Sequence, residues 1–234
     1  MNEGYVDFRG HRTWYRVTGD LPADKAPLVV LHGGPGCTHD YLDSLAELAG
    51  TGRAVVRYDQ LGNGRSTHLR DKGAGFWTVD LFVEELAGLI ARLGIGDRYH
   101  VLGQSWGGML GAEHAVTGPA GLRSLVIAAS PASMQLWLAA AGELRGRLPA
   151  DVQATLLRHE EAGTTGSEEY TRATRVFYDR HVCRIPWPEE VVRPYADGIA
   201  DVRWQIFDQS SHMPHVEGKD ACLKAIAAFL DQHD

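Results

Sequence analysis

The sequence predicts an α/β protein, a mostly parallel sheet with helices on both faces, on three observations. Short apolar runs alternate with helical stripes along the first half of the chain. One run, Leu28-Val29-Val30-Leu31, is continuously apolar, the form a strand takes when both its faces are covered. The third observation is the stripe Leu81, Phe82, Leu86, Leu89, Ile90 and Leu93, which recurs at the period of a helix.

The elements follow in order. Gly4–Gly10 and Arg12–Thr18 alternate and carry Tyr5, Phe8, Trp14 and Tyr15, so two strands joined at Gly10-His11 are expected. Leu28–Leu31 is the next strand. Beyond a glycine-rich loop, Asp40–Leu48 places Tyr41, Leu42, Leu45 and Leu48 at helical spacing, and Arg53–Tyr58 reads as a strand. Thr78–Leu93 is a helix with Asp80, Glu84 and Glu85 near its N-terminus, where the helix dipole favours acids. Tyr99–Gly103 is a strand, Trp106–Val116 a helix and Leu122–Ala128 a strand. From Pro131 to about Val192 the spacing is helical around Leu136, Trp137, Leu144, Leu148 and Leu156, with breaks at Gly163–Gly166 and Ile185–Pro188. This stretch reads as a helical insertion (131–192) over a core formed by 1–130 and 193–234. Val202–Phe207 resumes the sheet, and Leu223, Ile226, Ala227, Phe229 and Leu230 mark a final amphipathic helix.

Composition sets the frame for function. The 234 residues are 44% hydrophobic and 23% charged, as in an ordinary globular protein. A chain of this size holds a core without disulfides or metal, and Cys37, Cys183 and Cys222 lack metal-ligand spacing. The net charge of −7 argues against nucleic acid or an anionic membrane surface as partner. The polar start MNEGYVDFRGHR and the absence of an 18-residue apolar run point to a cytoplasmic protein without a membrane span. No cofactor and no metal are expected.

Chemistry concentrates in three places. Gly103-Gln104-Ser105-Trp106-Gly107 matches G-x-S-x-G between a strand and a helix, the setting in which a strained turn exposes a nucleophilic serine above a sheet. The flanking glycines remove side chains that would clash in so tight a turn. His32-Gly33-Gly34-Pro35-Gly36 follows the strand LVVL, and its glycines allow the backbone close to a developing oxyanion. Gly34 and Trp106 are the expected N–H donors, with His32 bracing the loop. Ser210-Ser211-His212-Met213-Pro214 lies between the last strand and the last helix, where the base of a Ser–acid–His chain order belongs. His212 is therefore the expected base and His215 the alternative, one of the two turning inward and the other outward. The remaining histidines read as surface or packing residues.

HGGPGCTHDYL, YDQLGNGRS, GQSWGG and SSHMPHVE, in this order, resemble the prolyl aminopeptidase (proline iminopeptidase) family of α/β-hydrolases, and FYDRHVCRIPWPEEV is similar to that family's helical cap. The resemblance implies an α/β-hydrolase fold with a shortened helical cap, Ser105 as nucleophile, His212 as base, and Gly34 and Trp106 as oxyanion donors. It implies release of an N-terminal residue, typically proline, from a small peptide or amino-acid amide; the alternatives are an amino-acid amidase or esterase on the same scaffold, or a catalytically inactive deletion variant. Asp59, Gly62 and Arg65 match positions that shape the pocket floor and read as structural. The sequence departs from the family at one junction, near Val192-Arg193. There the acid-bearing strand, part of the cap and the glutamates that grip the substrate ammonium are missing, so the triad acid is unknown. Asp208, or Glu189 and Glu190, could substitute locally, although the plainer reading is that no acid exists; Asp197 and Asp201 read as solvated charges. The sheet is expected to close up or keep a gap at this junction. Trp137, Phe177, Tyr178 and Trp187 could line an apolar pocket, although packing is the plainer role. Glu160, Glu161, Glu168 and Glu169 could supply ammonium recognition, although solvated helix faces are the plainer reading, and Cys37 reads as a buried small residue.

Overall fold

The computed structural model describes residues 2–34, 36–182, 184 and 212–234. Within them, six strands form one sheet: β1 (Asn2–Phe8), β2 (His11–Thr18), β3 (Leu28–Leu31), β4 (Val55–Tyr58), β5 (Tyr99–Gln104) and β6 (Leu122–Ala128). Their order is β1-β2-β4-β3-β5-β6, with β1, β2 and β4 paired antiparallel and β4, β3, β5 and β6 parallel. The expected strand Val202–Phe207 and the junction at Val192-Arg193 lie outside the described residues.

Alternation within β3 explains the layers. Val29 and Leu31 pack on one face against Phe82, Leu86, Leu89 and Ile90 of α1 (Val79–Arg92) and Leu110 of α2 (Trp106–Val116). Leu28 and Val30 face the other way, onto Tyr41, Leu42, Leu45 and Leu48 and onto Cys222, Ile226 and Leu230 of the last helix. All four residues of β3 are buried, as its unbroken apolar run requires. Thr78 caps α1 by accepting from the Leu81 N–H.

Two elements differ in form from the sequence reading. Asp40–Thr51 winds as a 3-10 helix, ended by Gly52 in the left-handed region (φ 90°), yet it buries the same four residues. Arg53 precedes β4 rather than joining it. Its fully buried guanidinium is committed to the Ala26 carbonyl and to the carboxylates of Asp231 and Asp234, which hold it outside the ladder.

Beyond β6 come three helices, α3 (Met134–Gly146), α4 (Ala150–Glu161) and α5 (Glu168–His181), of which α4 and α5 pack on a small core of Leu148, Leu156 and Ala173. The chain ends in α6 (Pro214–Glu217) and α7 (Lys219–Leu230). No helix among the described residues is long and apolar enough to cross a membrane.

Candidate active site

The register of two parallel strands builds the site. β3 pairs with β5 so that Leu31 lies opposite Gly103, and both strands end on the same edge. The loop after β3 and the turn after β5 are therefore neighbours, at the strand carboxyl ends where α/β proteins place ligands. Ser105 sits in that turn at φ 64° and ψ −125°, outside the usual regions for a residue with a side chain. The strain is held by tight packing. A Cβ on Gly103 would lie 2.0 Å from the Gly107 carbonyl oxygen, and one on Gly107 would lie 2.1 Å from that of Leu31. Ser130 Oγ donates to the Ser105 carbonyl (2.5 Å).

The glycine loop closes over the serine. A side chain on Gly33 would meet Ser105 Oγ at 3.0 Å, and Gly34 adopts φ +119°. The Gly33 N–H is already used, donating to Tyr41 Oη at 2.6 Å. His32 braces this loop from beneath: the Gln60 N–H donates to its Nε2 (2.9 Å), which leaves Nδ1–H to donate to the Gly33 carbonyl (2.8 Å). Burial lowers its pKa, so it stays neutral. Gln60 also accepts from Trp106 Nε1 (2.8 Å) and donates to the His32 carbonyl (2.9 Å), tying the elbow to the loop.

His212 reaches the same cavity as Ser105. Its backbone N–H donates to the Val182 carbonyl (3.1 Å), and Gln104 Nε2 lies 3.2 Å from its Nε2. Burial, with the neighbouring His215 imidazole, pushes its pKa down to about 3. His215 departs from the expected outward orientation. It is 2% exposed, its ring packs 5.8 Å from that of Tyr41, and its carbonyl accepts from Ser44 Oγ. The short helix α6 buries it beside Tyr41, and it does not line the cavity.

The cavity has a volume of about 580 Å³. Ser105, Gln104 and His212 form its base, and Trp137, Phe177 and Tyr178 of α3 and α5 line its upper wall. Cys37 is buried in the same lining. Glu160 is the one carboxylate among the described lining residues, and it stays on an exposed helix face. Arg145 pairs with both its oxygens (2.9 and 2.6 Å), and Tyr170 donates to Oε1. Glu169 is held by Arg158 and His159, and Glu168 by Arg172. Asp59, Gly62 and Arg65 do not line the cavity. Buried Asp59 accepts from the N–H groups of His39 and Arg65 and from His39 Nδ1. Burial would raise its pKa, but these bonds outweigh it and lower it. The acid candidates Asp208, Glu189 and Glu190, the charges Asp197 and Asp201, and also Trp187 and Cys183, lie outside the described residues.

Residues 26–202 match the α/β-hydrolase fold family. The proline iminopeptidase of Lactobacillus helveticus (strain DPC 4571) is 31% identical over 292 positions, covering 99% of this chain and 98% of that protein. The chain belongs to the proline iminopeptidase family of α/β-hydrolases. The crystal structure of VinJ superposes with a TM-score of 0.94 at 43% identity, covering 100% of this chain and 99% of that one. The proline iminopeptidase of Mycobacterium smegmatis gives a TM-score of 0.87 at 41% identity, covering 99% and 98%. The Lactobacillus alignment also measures a difference in length. Its 292 positions against 234 residues leave at least 58 (292 − 234) at which this family member has no residue.

Sequence reasoning missed three residues here. Tyr41 read only as part of an apolar stripe, and Gln104 and Gln60 went unremarked. The available signal was a glutamine at the end of an otherwise apolar strand, since a buried amide must find partners.

Proposed function

We propose that the chain is a serine hydrolase that releases an N-terminal residue, typically proline, from small peptides or amides through an acyl-enzyme. The observation that carries this reading is Ser105, held in a strained elbow at the base of a cavity that His212 also lines. Ser105 is the nucleophile and neutral His212 takes its proton and returns it to the leaving amine. Gly34 N–H and Trp106 N–H are the oxyanion donors. The commitment of Gly33 N–H to Tyr41 supports Gly34 over Gly33, and Trp106 opens α2, whose first N–H groups have no partner within the helix. Helices α3–α5 act as the cap, shortened at the junction near Val192-Arg193. No family-type acid precedes His212 in the sequence, and loss of that partner costs on the order of 10⁴-fold in kcat. Turnover is therefore expected to be slow.

One observation favours a second reading, an amino-acid amidase or esterase on the same scaffold. The described cavity lining offers an ammonium group only Glu160, which Arg145 already neutralises. A fluorophosphonate probe tests the shared chemistry: it should label the wild type at Ser105, label Ser105→Ala not at all, and label His212→Ala far more slowly. Folded wild type that remains unlabelled would reject both readings. Proline p-nitroanilide and an acetyl ester then separate them, since ester turnover without anilide turnover rejects the aminopeptidase.

A further inference from the structure

Among the buried polar groups, one chain of hydrogen bonds joins the oxyanion loop to the base. The Gly33 N–H donates to Tyr41 Oη at 2.6 Å, and the Tyr41 hydroxyl donates to Gln104 Oε1 at 2.6 Å. That second bond fixes the orientation of the Gln104 amide, because the hydroxyl proton needs an acceptor and only the carbonyl end can provide one. The NH₂ end then faces His212 and reaches two of its atoms, Nε2 at 3.2 Å and the carbonyl oxygen at 3.3 Å. Gln104 and Tyr41 are both buried, so neither partner is replaced by bulk water. A carboxamide nitrogen can only donate, so His212 must offer the lone pair of Nε2 and carry its proton on Nδ1. That is the tautomer a triad acid ordinarily imposes through Nδ1.

We propose that Gln104, oriented by Tyr41, is a positioning residue that fixes the tautomer and seat of His212 from the Nε2 side. The residue beside the nucleophile thus supplies orientation that the family draws from an acid on a separate strand. The bond is suited to a temporary role. At 3.2 Å it stands at the long limit for a nitrogen donor, and the second contact to the His212 carbonyl holds the amide in place while Nε2 turns to the Ser105 proton. The relay also links two sites of action, because the hydroxyl that orients Gln104 also holds the Gly33 N–H beside the oxyanion loop.

The inference rests on His212 being the base, and the experiment separates the two ideas. ¹⁵N-edited NMR at pH 7.5 on uniformly labelled protein reads the tautomer of each imidazole, with His212 assigned by its loss in His212→Asn. The wild type should show Nδ1–H. Gln104→Met keeps the length of the side chain but removes the donor, and should shift His212 towards Nε2–H. Gln104→Glu replaces the donor by an acceptor that Tyr41 can still hold, and should put a proton on Nε2. Both variants should slow fluorophosphonate labelling of Ser105 about tenfold or more, with unfolding midpoints close to wild type. An Nε2–H tautomer in the wild type, or a His212 that stays Nδ1–H in both variants, overturns the proposal. So does labelling within twofold of wild type in both. Wild type that shows Nδ1–H yet never labels overturns the serine-hydrolase reading instead, while the tautomer shift still judges the hold of Gln104 on His212.

Discussion

The sheet and the three helices α3–α5 meet the same demand, burial of apolar surface, with unequal success. Every residue of β3, β4 and β5 is buried, and each of these strands has a partner on both sides. Helix α3 has no buried residue, and it exposes Leu136 (70%) and Leu138 (59%), while α4 exposes Leu157 (53%). A helix of 13 residues gains little from propensity alone and depends on packing. The apolar faces of these helices suit a larger assembly than the described residues provide, in keeping with the 58 or more positions at which the relative has residues and this chain has none. The two halves of the cavity therefore differ in rigidity. The half carrying Ser105, Tyr41 and Gln104 is fixed by the sheet, and the half carrying Phe177 rests on the small core of Leu148, Leu156 and Ala173.

The most severe test of this contrast falls on the sheet side. Gly107→Ala would set a methyl 2.1 Å from the Leu31 carbonyl oxygen and 2.6 Å from its carbon, and backbone on both sides cannot give way. A loss of more than about 4 kcal/mol is expected, at the extreme of single substitutions. It would appear as insoluble protein or as collapse of the thermal transition. A variant with a near-native midpoint would show that the elbow is softer than its packing implies.

A milder change tests the helical side. Leu148→Ala removes the anchor of the small core and should cost about 2–4 kcal/mol, felt locally. Hydrogen exchange should speed up across Met134–His181 while amides in β5 and α1 keep their protection. Equal loosening of both regions would mean that they unfold as one unit, and the contrast between them would fail.

The same division decides what could be read from sequence. Strands and helices flanked by sheet were legible because both faces leave a signature: the unbroken run in β3, the stripe of α1 and the boundaries of α2 and β6 all stand where their patterns put them. Ser105 was legible because a strained turn requires Gly103 and Gly107 at fixed offsets. Asp40–Thr51 showed its buried face but not its winding, since an apolar spacing of one, four and seven suits both helix types. The inward turn of His215 left no local trace, because its partner there is the Tyr41 ring, a contact 174 residues away in sequence (215 − 41). Gln104 and Tyr41 escaped for a related reason. Their importance lies in meeting each other and His212, and no spacing rule relates residues on a helix, a strand and a terminal loop.

The gentlest test uses pH to ask whether the rigid half carries its own titrating strain. Glu85 is buried in α1, accepting from Thr13 Oγ1 and from the Leu61 N–H, next to the Gln60 that braces the oxyanion loop. Burial pushes its pKa up to about 7, against the opposing effect of those two bonds. A carboxyl whose folded pKa exceeds its unfolded value near 4.5 contributes stability that is complete below pH 4.5 and is lost as pH rises through 7. His212 and His215, lowered to about 3 and about 4, work in the opposite sense, losing stability as pH falls below 6.5. Their effects mask that of Glu85 in the wild type alone, so the comparison must be with Glu85→Gln, which keeps the shape and can still accept from Leu61. Relative to that variant, the wild type should gain stability as pH falls from 7 to 4.5, by at most about 1.4 kcal/mol per pH unit for one proton. Urea unfolding at pH 5, 6, 7 and 8 measures the difference directly. A difference that stays flat over this range would mean that Glu85 is ionised throughout, and that the sheet side tolerates a buried charge its packing argues against.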